Sequence, residues 1–153
     1  HIMWLDIYLV ASMGLLDGEI CIKYGCFKCC LETEMPLTED DIRRIESLGF
    51  KREQFVVIRN GIPRLRNENG RCVFLGKDGK CTIYEHRPLG CRLYPVIQVN
   101  GECDVDHEYC PYAHLITREE IEYACPQVLE LNRLIDKQKQ FTKIGYLPQT
   151  NKK

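Results

Sequence analysis

Ten cysteines stand in a chain of 153 residues, and four of them, Cys21, Cys26, Cys29 and Cys30, fall within ten positions. Thiolates are soft, anionic donors, and one tight turn can aim two of them at a common point. A zinc ion or an iron–sulfur cluster needs that arrangement. Cys26 and Cys29 form a C-x2-C pair able to chelate from a single loop. Cys30 must point elsewhere, because neighbouring side chains diverge. The Cys29–Cys30 pair therefore implies a polynuclear cluster, a second site or one cysteine that is not a ligand. Cys72, Cys81 and Cys91 follow about ten residues apart, then Cys103, Cys110 and Cys125. This many thiols exceed the four ligands of one tetrahedral zinc.

The alternative use of ten cysteines is a framework of disulfides. Against it, adjacent Cys29 and Cys30 cannot easily pair with each other, and a 17.9 kDa chain is large enough to build a core without staples. The most apolar stretch, residues 4–16, is interrupted by Asp6 and is shorter than the roughly 20 residues that span a bilayer. No Lys or Arg precedes it, as a signal peptide would require. The expected compartment is therefore the cytoplasm, where thiols stay reduced and dense cysteines serve as ligands. His1 and Ile2 precede Met3 and read as a cloning remnant. A net charge of -1 and interspersed charges such as RRIESLGFKRE give no field that would draw nucleic acid or anionic lipid, so neither is expected as a partner.

The elements that must position the thiols are short. Residues 21–31 read as an irregular turn in which Gly25 supplies an unusual backbone angle. Thr38 can cap a helix whose first turn holds Glu39, Asp40 and Asp41. Ile42, Ile45 and Leu48 line one side of it, and Gly49 ends it. Residues 55–58 and 62–65 read as a hairpin over Asn60-Gly61, and residues 95–99 and 101–105 as another over Asn100-Gly101. Residues 71–75 and 80–84 read as two more strands joined by Gly-Lys-Asp-Gly, with Cys72 and Cys81 at their entries. Residues 87–95, bounded by prolines, suggest a helical turn around Cys91. From Thr117 the chain turns helical, with Ile121, Val128, Leu131, Leu134 and Ile135 on one side and Pro126 expected to kink or divide it. The expected fold is α+β: a small irregular single domain with short antiparallel hairpins and a C-terminal helix, organised around Cys-ligated metal. Its parts are an N-terminal segment (1–20), the cysteine cluster (21–125) and the C-terminal helical part of the same domain (117–145).

GCFKCC followed by PLTEDDIRRI, then CVFLGKDGKCTIYEHRPLGCRLYPV, then the Cys-Pro at Cys110 together resemble the CxxCxxCC family of zinc- or iron-chelating domains, the YkgJ-like cysteine cluster proteins. The resemblance covers about residues 21–125. It implies metal ligation by Cys21, Cys26, Cys29, Cys30, Cys72, Cys81, Cys91 and Cys110. The chain departs from the family pattern in the four residues between Cys21 and Cys26, and in its extra Cys103 and Cys125, which are expected to be buried or free thiols.

Only the first knuckle is regular and the later cysteines come singly, which suits an iron–sulfur cluster, most simply [4Fe–4S], better than zinc. The expected function is that of a metal-binding cysteine-cluster protein; a zinc-binding structural protein or metal carrier is the alternative. Flagellin lysine N-methylases carry this type of domain, so the resemblance also implies S-adenosylmethionine-dependent lysine methylation of a protein substrate, although no glycine-rich cofactor fingerprint is present. Arg87 and Arg92 could donate to cluster sulfurs or a bound anion, but pairing of Arg87 with Glu85, Asp40 or Asp41 is the preferred reading. His86 and His107 are expected to be exposed or simply hydrogen-bonded. Tyr84 and Tyr94 are expected to pack around the site.

Overall fold

The computed structural model describes residue 21 and residues 23–143; the readings made above on residues 1–20 and 144–153 lie outside the described residues. Among the described residues the architecture is α+β, with three two-stranded antiparallel sheets and a long C-terminal helix. Helix α1 (Glu39–Glu46) begins where a capping box predicts it. Thr38 Oγ1 accepts from the Asp41 N–H at 3.1 Å, and the Asp41 carboxylate accepts from the Thr38 N–H at 2.9 Å. Its buried face, Ile42 and Ile45, follows the expected spacing, but the helix ends at Glu46 and Leu48, expected on the same side, lies beyond it and is exposed. A short helix α2 (Arg52–Phe55) leads into β1 (Val56–Arg59), which pairs with β2 (Ile62–Leu65).

The second sheet, β3 (Asn67–Glu68) with β4 (Arg71–Cys72), differs from the expectation. Residues 71–75 and 80–84 do not form a hairpin of two full strands. What remains of that pairing is a Leu75–Cys81 bridge and a bond from the Thr82 N–H to the Phe74 carbonyl at 2.7 Å. The reason lies in Asn69-Gly70, which turns the chain before β4 and gives Cys72 a partner upstream. Asn60-Gly61, Asn69-Gly70 and Asn100-Gly101 all hold both central residues at positive φ, from 52° to 82°. Two-residue hairpins with a right-handed strand twist require that backbone.

Helix α3 (Leu89–Leu93) carries Cys91, and β5 (Val96–Val99) pairs with β6 (Glu102–Val105). Helix α4 (Arg118–Lys143) is capped by a reciprocal Thr117–Glu120 box and continues through Pro126 rather than being divided there. Ile121, Ala124, Val128, Leu131 and Ile135 are buried along it, whereas Leu134 is only partly buried.

Among the described residues, the buried apolar side chains form two clusters. One joins α4 to β5 and β6 through Leu93, Val96, Val105, Val128 and Leu131. The other gathers α1, β1 and β2 around Leu37, Ile42, Phe55, Leu65 and Phe74. Cysteines pack against both: Cys21, Cys103 and Cys110 against the first, and Cys30, Cys72, Cys81 and Cys91 with the second.

Candidate metal centre

Cys21 and Lys23 are helical, and the turn after them closes with a bond from the Cys26 N–H to the Cys21 carbonyl at 2.8 Å. Gly25, at φ 62°, occupies the left-handed position before Cys26. This is the six-to-one closure of a Schellman motif. It brings residues five apart onto one another, so the longer Cys21–Cys26 spacing still delivers two thiols to one place. The next residues, Lys28–Cys30, form a 3-10 turn. Its carbonyls are held from outside, because the Tyr109 hydroxyl lies 2.6 Å from the Leu31 oxygen and 2.9 Å from the Lys28 oxygen.

Two buried or partly buried carboxylates fix the remaining segments. Asp41, 1% exposed, accepts from the Leu89 N–H and from Arg44 Nη2, each at 3.0 Å, in addition to capping α1. Arg44 Nη2 also donates to the Arg87 carbonyl at 3.0 Å. The helix start PLTEDDI and the turn RPLGCR are thereby one unit, and together they set the position of Cys91. On the opposite wall, Asp106 accepts from the Tyr94 hydroxyl at 2.6 Å and from the Tyr109 N–H at 3.2 Å, while its carbonyl accepts from the Cys110 N–H at 3.1 Å. Gly79 completes the frame: a Cβ there would stand 3.1 Å from the Phe27 ring.

These segments enclose a cavity of about 400 Å³, and Cys21, Cys26, Cys29, Cys30, Cys72, Cys81, Cys91 and Cys110 all line it. The structure brings together every cysteine of the expected ligand set, and all eight are free thiols. Among the described residues, no three His, Cys, Asp or Glu side chains are grouped so as to hold one metal ion; the thiols are spread around the wall instead.

Six of the thiols, Cys21, Cys29, Cys72, Cys81, Cys91 and Cys110, hold their protons tightly. Burial, with repulsion from Cys29, Cys26 and Cys110, pushes Cys21 up to about 12. Cys29 is raised further, first by its hydrogen bond with the Cys30 side chain and then by burial. Burial also raises Cys72, Cys81, Cys91 and Cys110. Two features act the other way and favour thiolate. Arg87, on the cavity wall, lowers Cys21, Cys29, Cys81 and Cys91. Backbone N–H groups two residues downstream donate to three sulfurs: Phe74 to Cys72, Ile83 to Cys81 and Tyr112 to Cys110. Metal-bound thiolates need such donors, which offset negative charge on sulfur. The cavity thus fits a thiolate-ligated metal group: soft donors, cationic side chains on its wall (Arg87, Lys28 and Lys80), and N–H groups aimed at sulfur.

A domain family described as "CxxCxxCC: Putative zinc- or iron-chelating domain" matches residues 20–111. The chain belongs to this family. It is also 32% identical over 127 residues to an uncharacterized protein, MJ0661, of Methanocaldococcus jannaschii, a match covering 63% of this chain and 70% of that one. No solved structure matches.

Within this CxxCxxCC domain several side chains fall differently from the sequence reading. Cys103 and Cys125 are neither free nor fully buried: they form a disulfide between β6 and α4, with Cα atoms 5.8 Å apart. Strand register puts Cys103 against the apolar face of α4, where Cys125 follows buried Ala124. The acidic residues Asp40 and Asp41 of α1, two of the partners expected for Arg87, pair with other arginines. Asp41 is taken by Arg44, and Asp40 pairs with Arg43 at 3.4 Å. The Arg87 Nε donates to the Tyr84 carbonyl at 2.9 Å, and its guanidinium lies 4.1 Å from the Tyr84 ring centroid. Tyr84 and Tyr94 line the cavity, whereas Arg92, His86 and His107 are exposed. The sequence reading passed over Asp106 and Tyr109, whose signal was available: an Asp can accept from the backbone N–H three residues on, as an N-cap residue does, and here it does so from Tyr109. No described helix is long and apolar enough to cross a membrane.

Proposed function

We propose that the chain is a metalloprotein whose cysteine cavity holds an iron–sulfur group, [4Fe–4S] in the simplest case. One observation carries the reading: eight free thiols, delivered by five separate segments, line a single cavity. A mononuclear zinc site gathers four donors on one ion, whereas these donors surround a volume. The backbone N–H groups on Cys72, Cys81 and Cys110 and the nearby Arg87 support ligation as thiolate. When bound, such a group supplies electron transfer or an anion-binding iron face. The chain's own residues supply the ligands, the hydrogen bonds that tune them, and the apolar walls of Phe27, Met35 and Ile83.

The test is iron and acid-labile sulfide content, with a visible spectrum, on protein purified without oxygen or chelator. Brown protein with iron and sulfide in equal amounts is the expected result. Colourless protein holding stoichiometric zinc overturns the iron–sulfur reading and favours a structural or carrier role. S-adenosylmethionine-dependent lysine methylation, implied by the family resemblance, would bring that cofactor to the same cavity; equilibrium binding of S-adenosylmethionine to the loaded protein tests it.

A further inference from the structure

The eight thiols are not distributed evenly around the cavity. Cys21 and Cys110 rest against the cluster built by α4, β5 and β6. Cys30, Cys72, Cys81 and Cys91 sit with the cluster built by α1, β1 and β2. Cys26 lies next to Cys21 through the closing bond of the first turn. Cys29 and Cys30 are adjacent in one 3-10 turn, and the Cys29 thiol is hydrogen-bonded with that of Cys30.

We propose that the cavity holds two metal centres side by side, one on Cys21, Cys26, Cys29 and Cys110 and the other on Cys30, Cys72, Cys81 and Cys91. This rests on the metalloprotein reading above and extends it to the number of centres and their ligands.

Three further features agree with the division. Each set contains four thiols, the complement of one four-iron cluster, whose ligands stand around a volume rather than on one ion. Each set has its own backbone donors to sulfur: Tyr112 on Cys110 in the first, Phe74 and Ile83 on Cys72 and Cys81 in the second. Each set also has its own anchor. Asp106 fixes the Cys110 segment, and Asp41 fixes the Cys91 turn through the Leu89 N–H. Cys21 lies near Cys26, Cys29 and Cys110, and Cys91 lies near Cys29, Cys72 and Cys81, so that only Cys29 reaches across the division. Cys29 is near members of both sets, as a residue at the junction must be. The adjacent cysteines thus have a use that a single centre would not give them: one turn feeds two neighbouring centres.

The experiment counts metal in the full chain reconstituted anaerobically with iron and sulfide, for wild type, Cys110→Ser, Cys91→Ser and the double variant. Far-UV circular dichroism is recorded on each, and a variant that fails to fold is replaced by Cys21→Ser or Cys81→Ser from the same set. If each single variant retains about half the wild-type iron and sulfide and the double variant retains none, the two-centre assignment holds. If either single variant loses all its metal while folded, the thiols serve one shared centre and the assignment falls, with the metalloprotein reading intact. A single variant that keeps the full wild-type content removes that residue from the ligand set and also overturns the assignment. A wild-type chain that takes up no metal overturns both readings.

Discussion

Replacing Asp41 with alanine is the sharpest test of how the cavity is framed. Its carboxylate accepts from two backbone N–H groups, Thr38 at 2.9 Å and Leu89 at 3.0 Å, and from Arg44 Nη2 at 3.0 Å. Alanine leaves both N–H groups without their acceptor at a site where Asp41 itself is 1% exposed. An unsatisfied buried donor costs about 1–3 kcal/mol, and loss of a capping interaction costs about 1 kcal/mol. The Arg44 pair adds little, because that side chain is 37% exposed and screened. The expected loss is about 3–5 kcal/mol, measured as the shift in urea midpoint times the m-value on metal-free protein. Arg44→Ala on the same measure should cost about 1 kcal/mol. Because Leu89 opens the helix that carries Cys91, Asp41→Ala should also bind metal more weakly at equal loading. A loss under about 1 kcal/mol, or a loss equal to that of Arg44→Ala, would refute the idea that Asp41 ties the two motifs together.

Four other outcomes follow from the same geometry. Gly90→Ala should destabilise by about 1–3 kcal/mol, because a Cβ there would stand 2.7 Å from Met35 Sδ; a Met35→Ala companion should recover part of the loss in a double-mutant cycle of urea midpoints. Metal-free protein should lose stability as pH rises from about 9 towards 12, since the Cys21 proton is held more tightly folded than unfolded and its contribution disappears between those values; urea midpoints across that range check the sign. Arg87→Met should move metal uptake to higher pH, because the cation favours the thiolates of Cys21, Cys29, Cys81 and Cys91, whereas Arg87→Lys should move it less; a pH series of metal binding reads both. Reducing the Cys103–Cys125 bridge, which spans 22 positions, should cost about 3 kcal/mol while leaving metal content unchanged, as unfolding with and without reductant and a metal assay will show.

What the sequence made legible was local chemistry. Thr38 and the acidic residues after it announced α1, and Asn60-Gly61 and Asn100-Gly101 announced two hairpins, because caps and primed turns depend on a few adjacent residues. Asn69-Gly70 carried the same signal and was hidden by the apolar run after Arg71, which invited a longer strand than the chain forms. The cysteines of the cavity were legible as a set through the family's motifs, since residue type alone did not separate them from Cys103 and Cys125. Which apolar cluster each of them packs against was not, since that depends on contacts between distant segments. The links that span distance were equally hidden. Asp41 reaches Leu89 across 48 positions, and Cys103 meets Cys125 only through the register of β6 on α4. Pro126 does not divide its helix, because five buried apolar residues along it outweigh the loss of one backbone bond.

The cavity lies where two apolar clusters meet, and its donors come from both. Whatever fills it is therefore also a clasp between the halves of the molecule. Binding that favours the folded form stabilises it by mass action, in proportion to the logarithm of free metal. The persistence of the chain in a cell would then follow the supply of metal, and starvation would appear as clearance of the protein before any failure of its chemistry.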